Sequence, residues 1–297
     1  MSKFARLGGR LFNAPLMLRP EKAEMLVAAL VDRMGIAKLD TIDGRSLGAS
    51  ELRQRAGMWD DAPPKTARDM YDLSRGVATL HIDGTLVHKL GGVEPYCGMI
   101  GYDQIDRILA DALANEEVGA VLLDIDSPGG EVAGCFDFAR KLRGMSLAGG
   151  GQKPIVAFAN EMACSAAYAI ACACDAVMTT ETGIAGSIGV WTMQVDMTKG
   201  LSKNGIEVTM IRAGERKARG GPYEVADDET FAKLQGWVND TWVLFAEHVA
   251  ESRGLDADYV LDLQGDWYSG PEALEIGLVD AVDTPDAIFE AVAAMAR

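Results

Sequence analysis

Val121-Leu-Leu-Asp-Ile-Asp-Ser-Pro-Gly-Gly130 is the segment from which the fold can be worked out. It opens as a short apolar run of Val, Leu and Ile. Such a run, bounded by breakers, reads as a parallel strand buried on both faces. Ser127-Pro128-Gly129-Gly130 is the abrupt end. Glu131 to Arg143 then reads as a helix. A Gly-Gly turn between strand and helix leaves backbone N–H groups free and pointing at one spot, an arrangement that holds an oxyanion. An ordinary strand-to-helix loop has the same composition, so the turn alone leaves both readings open.

Around this stretch, strands and helices alternate. Tyr102 to Asn115 reads as a helix, 119–126 as a strand, 154–159 as a second buried strand, and the residues after Ser165 as another helix. That alternation predicts an α/β fold with a parallel core. Asp228 to Arg253 reads as a long helix whose Trp237, Trp242 and Phe245 suit core or subunit packing. Arg19 to Arg33 reads as an amphipathic helix starting near Pro20. A polar, loop-like stretch from Asp40 to Lys65 includes Pro63-Pro64. At 297 residues, one large domain with a small extension is expected. The division is 1–70 for the N-terminal extension and 71–297 for the main domain.

Hydrophobic residues make up 48% of the chain, enough for a sizeable core. Lys and Arg total 28 against 44 Asp and Glu, a formal charge of −16. That balance argues against nucleic acid and against anionic membrane surfaces as partners. Cys97, Cys135, Cys164, Cys172 and Cys174 are odd in number. Cys172-Ala-Cys174 lacks the second pair that a zinc site needs. They read as small buried thiols in a reducing compartment. No N-terminal apolar segment reads as a signal, and the most apolar stretch, Ala163 to Val177, is short of the roughly 20 residues that span a bilayer. The expectation is a chain without a membrane anchor, in the cytoplasm.

Ser165 stands in Asn160-Glu-Met-Ala-Cys-Ser-Ala-Ala-Tyr168, directly after the strand at 154–159. Its small neighbours let a helix start at once and hold the hydroxyl on a strained turn. A buried serine bonded to backbone is the plain alternative. A serine nucleophile also needs a base. The chain has only His81, His88 and His248, none between Ser165 and Lys217. Lys217 lies in Ile211-Arg-Ala-Gly-Glu-Arg-Lys-Ala-Arg-Gly-Gly-Pro222, after a strand expected over Glu207 to Ile211. A desolvated lysine can replace histidine as the base, although a solvated surface charge fits the same residue. Lys199 and Lys203 compete for the role, but they fall on what reads as an exposed helix with a glycine stop.

Taken together these segments resemble the signal peptide peptidase A-like serine peptidases (peptidase family S49), within the Clp-protease/crotonase-like fold of parallel β-sheet layers flanked by helices. The likeness covers roughly Gly76 to Val282. It rests on six segments in order: Val77 to Leu86, Asp126 to Gly130, Ala163 to Tyr168, Thr182 to Val190, Gly214 to Lys217, and Gly265 to Asp280. The resemblance implies a Ser–Lys dyad of Ser165 and Lys217, with Ser187 helping to orient the lysine. It implies an oxyanion hole from the backbone of Gly130 and Ala166, with Gly129 beside them. Ser165 would attack a peptide carbonyl, and Lys217 would take the hydroxyl proton and return it to the leaving amine. No metal or organic cofactor is needed. Two departures stand out: Ala166 and Ala167 replace the usual glycines, and Ala218 replaces a commonly acidic residue.

The segments Leu11 to Ala23 and Pro95 to Tyr102 resemble the soluble phage and prophage members of that family. The resemblance implies a homo-oligomeric endopeptidase that cleaves scaffold or capsid proteins during prohead maturation, in the bacterial host cytoplasm or the prohead. With Arg297 soon after the peptidase segment, no fused scaffold is expected. A cytoplasmic oligopeptidase of the same family, a crotonase-like acyl-CoA enzyme and a catalytically silent assembly protein are the alternatives.

Overall fold

In the computed structural model, which describes Leu16–Leu18, Leu39–Asp40, Ser46–Leu47, residues 66–91 and residues 98–296, the run at 121–127 becomes a central strand. In chain order the strands are β1 (Leu16–Leu18), β2 (Leu39–Asp40), β3 (Ser46–Leu47), β4 (Tyr71–Ser74), β5 (Val77–Asp83), β6 (Thr85–Val87) and β7 (Met99–Gly101). They continue as β8 (Ala120–Ser127), β9 (Gly129–Glu131), β10 (Ile155–Cys164), β11 (Ala176–Thr179), β12 (Ile184–Gly186), β13 (Trp267–Ser269) and β14 (Ala281–Val282). The α-helices are α1 (Tyr102–Ala114), α2 (Cys135–Met145), α3 (Ala166–Ala171), α4 (Thr198–Lys203), α5 (Asp228–Arg253), α6 (Ala257–Asp262), α7 (Gly270–Glu275) and α8 (Pro285–Met295).

The larger sheet runs β13-β12-β10-β8-β5-β4, with β11 on β10 and β14 on β11. Its centre is parallel throughout: β5 with β8, β8 with β10, and β10 with both β11 and β12. Only β4 and β13, at its ends, are antiparallel. A smaller sheet has the order β1-β9-β6-β7. The α/β architecture expected from the sequence, a parallel core flanked by helices, is therefore the one the chain adopts. The helix expected over 19–33 and most of the loop expected over 40–65 lie outside the described residues, as does Cys97.

Alternation along the central strands fills two cores. Val121, Leu123 and Ile125 of β8 and Ile155, Ala157 and Ala159 of β10 face one side, with α1, α2, α3 and α5. Ala120 and Leu122 of β8 and Val156 and Phe158 of β10 face the other, under Ile288, Val292 and Ala293 of α8. Successive strand residues point to opposite faces, so a strand apolar throughout must be covered on both. The four described cysteines are buried and form no disulfide with one another. Burial pushes the Cys135 and Cys172 thiols up to about 12.

Three local expectations change. Glu131 is not helical: Gly129–Glu131 forms β9, and α2 starts only at Cys135 after Gly134, whose φ is 81°. β10 does not stop at Ala159 but continues to Cys164. Its register against β8 skips Asn160 and Glu161, a bulge that bends the strand without ending it. Both bulge side chains are tied down: Asn160 donates to Asp124 (3.0 Å), and Glu161 accepts from Thr180 (2.9 Å) and Thr182 (2.7 Å). The strand expected over 207–211 does not form. A strand needs a ladder partner, and here Ile206, Val208 and Ile211 remain exposed, Ile211 at 95%.

The candidate active site

The parallel register of the central sheet sets the geometry at Ser165. On one side of β10, Ala163 lies opposite Ser127, the last residue of β8. On the other, Cys164 lies opposite Gly186, the last residue of β12. One step further along, Ser165 and Ser187 leave the ends of neighbouring parallel strands together. The C-terminal edge of a parallel sheet is where loops converge to form sites.

Both serines are conformationally unusual. Ser165 has φ 58° and Ser187 has φ 54°, the left-handed side that L residues rarely take. The Ser165 N–H donates to the Gly186 carbonyl at 2.8 Å, and the Ser187 N–H donates to the Asp266 carbonyl at 2.7 Å. These bonds hold each turn in place. Ser165 is the N-cap of α3 and is almost fully buried. Its backbone carbonyl accepts from the Ala169 N–H at 3.0 Å. The helix therefore begins on the serine itself. Ala166 occupies its first turn, where N–H groups have no partner within the helix.

Helix α3 is fixed in depth by Tyr168, a fully buried side chain. Its hydroxyl donates to the Leu278 carbonyl at 2.7 Å, and burial raises its pKa well above the usual range. The small residues around it, Ala166, Ala167, Ala169 and Ala171, are all buried. They let the helix sit against β9 and α2.

The Gly-Gly turn forms β9, and β9 packs against α3. Gly130 is held against β6: a Cβ there would sit 1.8 Å from the Leu86 carbonyl oxygen, so only glycine fits. Gly129 takes φ 103°, and its N–H donates to Ser127 Oγ at 3.2 Å. That hydroxyl in turn donates to the Gly84 carbonyl at 2.6 Å. Gly129 thus makes the turn and has its N–H engaged, so Gly130 and Ala166 are the remaining backbone donors expected at the oxyanion. The buried Tyr102 hydroxyl anchors the end of β9 by donating to the Glu131 carbonyl at 2.7 Å.

Two of the three histidines serve other places. His248 on α5 bonds through Nε2 to the Ala169 carbonyl at 2.8 Å, and burial lowers its pKa. His81 on β5 bonds to Asp124 (2.9 Å) and Asp72 (3.2 Å). The Asp124 bond leads in raising its pKa to about 9. Neither bonds to Ser165.

Lys217 is placed differently from Ser165. It lies in an exposed turn just before Ala218, whose φ is 68°, and it makes no hydrogen bond with Ser165 in the single chain. Its neighbours are pinned by ions: Arg216 and Arg219 pair with Glu229 at the start of α5, and Arg212 pairs with Glu224. Lys199 and Lys203 are on exposed α4, as the sequence suggests. The structure therefore brings Ser165 and Ser187 to one edge of the sheet and packs β9, which holds Gly130, against α3, which holds Ala166, while Lys217 stands on an exposed turn. Trp242, read from the sequence only as a packing residue, donates through Nε1 to the Ile188 carbonyl at 2.9 Å and ties α5 to the glycine-rich segment after Ser187. A tryptophan on a long helix gives no sequence signal for that contact. No helix among the described residues is long and apolar enough to cross a membrane.

Comparison with known proteins places these features in context. A model of peptidase family S49 matches residues 150–297. Capsid assembly protease C of Escherichia phage lambda is 39% identical over 283 residues, covering 93% of this chain and 63% of that protein. Head-tail preconnector protein GP5 of Enterobacteria phage P21 is 37% identical over 284 residues, covering 93% of this chain and 55% of that protein. The chain thus spans less than two thirds of either relative. A solved structure, that of a ClpP1 mutant from Listeria monocytogenes, aligns with a TM-score of 0.44 at 13% identity, over 71% of this chain and 94% of that one. That likeness is too distant to bear on the site.

Proposed function

Because the chain belongs, over residues 150–297, to peptidase family S49, we propose that it is a serine endopeptidase built on Ser165. The observation that carries this is the position of Ser165. It is a strained N-cap at φ 58°, buried, at the C-terminal edge of a parallel sheet beside Ser187 and the Gly129–Glu131 strand. In this reading Ser165 Oγ attacks a peptide carbonyl. The N–H groups of Gly130 and Ala166 receive the charge that develops on its oxygen. Lys217 is the base that takes the serine proton and delivers it to the departing amine. Ser187 orients that base, as the third member of such sites does.

Lys217 must then be brought to Ser165 from its exposed turn. The stretch that carries it leaves Ile206, Val208, Ile211 and Val225 exposed. Apolar side chains in such number on one segment favour cover by another surface. A homo-oligomer in which these residues are covered is part of the proposal. The relatives named for capsid assembly and head-tail connection support a polypeptide substrate in phage head assembly, with the scaffold or capsid protein cut during prohead maturation.

The test is co-expression with candidate phage scaffold and capsid proteins, with mass spectrometry of the products. Cleavage is expected from the unaltered chain and is expected to vanish in both Ser165→Ala and Lys217→Ala. Full cleavage by a folded Ser165→Ala chain refutes the nucleophile. Full cleavage by Lys217→Ala refutes the dyad alone.

A further inference from the structure

The strand that carries the Gly-Gly turn has two edges, and both are occupied. Along one, β6 pairs in parallel, with Leu86 opposite Gly130. Along the other, β1 pairs antiparallel: Leu16 opposite Glu131, Met17 opposite Gly130 and Leu18 opposite Gly129. β1 lies far upstream of β9 in the chain, before the whole of the larger sheet.

An extended peptide that presents a carbonyl both to Ser165 and to the N–H of Gly130 must run beside Gly129–Glu131. Peptide ligands of sheet proteins bind in this way, adding a strand to an open edge so that main-chain hydrogen bonds give affinity. The β6 edge is internal to the small sheet, between β9 and β7. Its closeness is absolute, since the Leu86 backbone leaves no room even for a methyl on Gly130. Only the edge that β1 covers is left for a substrate. We infer that Leu16–Leu18 lies in the substrate's own strand position, so that this strand occupies the active-site edge and must leave before a polypeptide can be cut.

This inference rests on the peptidase reading of Ser165 for its functional meaning, though not for its geometry. A site closed by its own strand binds more weakly in proportion to the open fraction. If β1 is seated about nine-tenths of the time, the apparent KM is raised about tenfold. The strand does not alter the chemistry once it has left, so kcat is unaffected.

Proline tests the seat, because it lacks the N–H of a ladder residue and is excluded from paired strands. Successive N–H groups point to opposite edges, so one of Met17→Pro and Leu18→Pro removes a ladder bond to β9. The expected result is a KM about tenfold lower for an extended peptide in at least one variant, with kcat within about twofold of the unaltered chain. A synthetic peptide with the sequence of residues 14–20 is expected to inhibit that variant competitively. An unchanged KM in both folded variants overturns the inference. A parallel measurement separates it from the peptidase reading. Fluorescence anisotropy of a labelled peptide against Ser165→Ala, with and without the proline, needs no turnover. Tighter binding with the proline upholds the occupied edge even if no cleavage is ever seen. Equal binding overturns it even if cleavage is robust.

Discussion

Gly130→Ala is the most exacting single perturbation of the site. The added methyl would stand 1.8 Å from the Leu86 carbonyl oxygen, 2.5 Å from its carbon and 2.7 Å from Leu86 Cα. Those atoms are backbone and cannot rotate away. Bringing the closest contact out to 3.0 Å, the limit for real Cβ atoms, parts β6 from β9 by about 1.2 Å. Overpacking of this kind costs about 1–3 kcal/mol, which for a chain of this size lowers Tm by about 2–5 °C. The catalytic cost is larger. A displacement of about 1 Å can cost 10²-fold, and loss of one oxyanion donor costs about 10²–10³ in kcat, or about 2.7–4 kcal/mol. The assay is kcat and KM on a peptide whose cleavage depends on Ser165, with thermal melts alongside. Gly119→Ala is the control: its Cβ would sit 2.1 Å from the Ala296 carbonyl oxygen, just before β8 and at the end of that strand away from the serine. The control should lose stability and keep kcat. A folded Gly130→Ala chain with kcat within about threefold of the original refutes the role given to Gly130, and so does an equal kcat loss in Gly119→Ala.

Two further outcomes are expected. Tyr168→Phe leaves the buried Leu278 carbonyl without its donor, at a cost of about 1–3 kcal/mol; unchanged denaturant midpoints would contradict the anchoring of α3. His81 titrates near 9 because the folded state gives its charged form the Asp124 bond, with Asp72 adding to it. Its folded pKa lies above the ordinary 6.5, so its contribution is complete below about pH 6.5 and is lost as pH rises toward 9. Half-exposed as it is, the effect on stability is small, and proton NMR is the better measure. Asp124→Asn should bring the midpoint down toward 6.5, and a midpoint that stays near 9 contradicts the assignment.

What could be read from the sequence was what local chemistry controls. The apolar run ending in Ser127-Pro128-Gly129-Gly130 is a strand because it is apolar on both faces. Small residues after Ser165 start a helix there because nothing in them resists it. The misreadings share one physical cause, pairing with distant residues. Three residues at 129–131 are a strand only because β1 and β6 lie beside them. β10 runs through Asn160 and Glu161 because β8 on one side, and β11 and β12 on the other, hold it across a bulge no window can show. Conversely, Glu207 to Ile211 has strand composition and no ladder partner among the described residues. The adjacency of Ser165 and Ser187 is likewise a matter of register: 22 residues apart in sequence, they meet because Cys164 aligns with Gly186. Leu16–Leu18 gave no local hint that it would meet Gly130.

The Tyr168–Leu278 bond spans 110 residues of chain, and that span imposes an order on biosynthesis. Chains emerge from the ribosome at about 5–20 residues per second. Ser165 is therefore made roughly 5–20 s before the carbonyl that fixes its helix exists. During that interval the segment has its residues but lacks its deepest anchor. The geometry of the nucleophile is completed by a part of the chain synthesised well after it, so a nascent chain that has not yet reached Leu278 holds the serine without the frame that aims it.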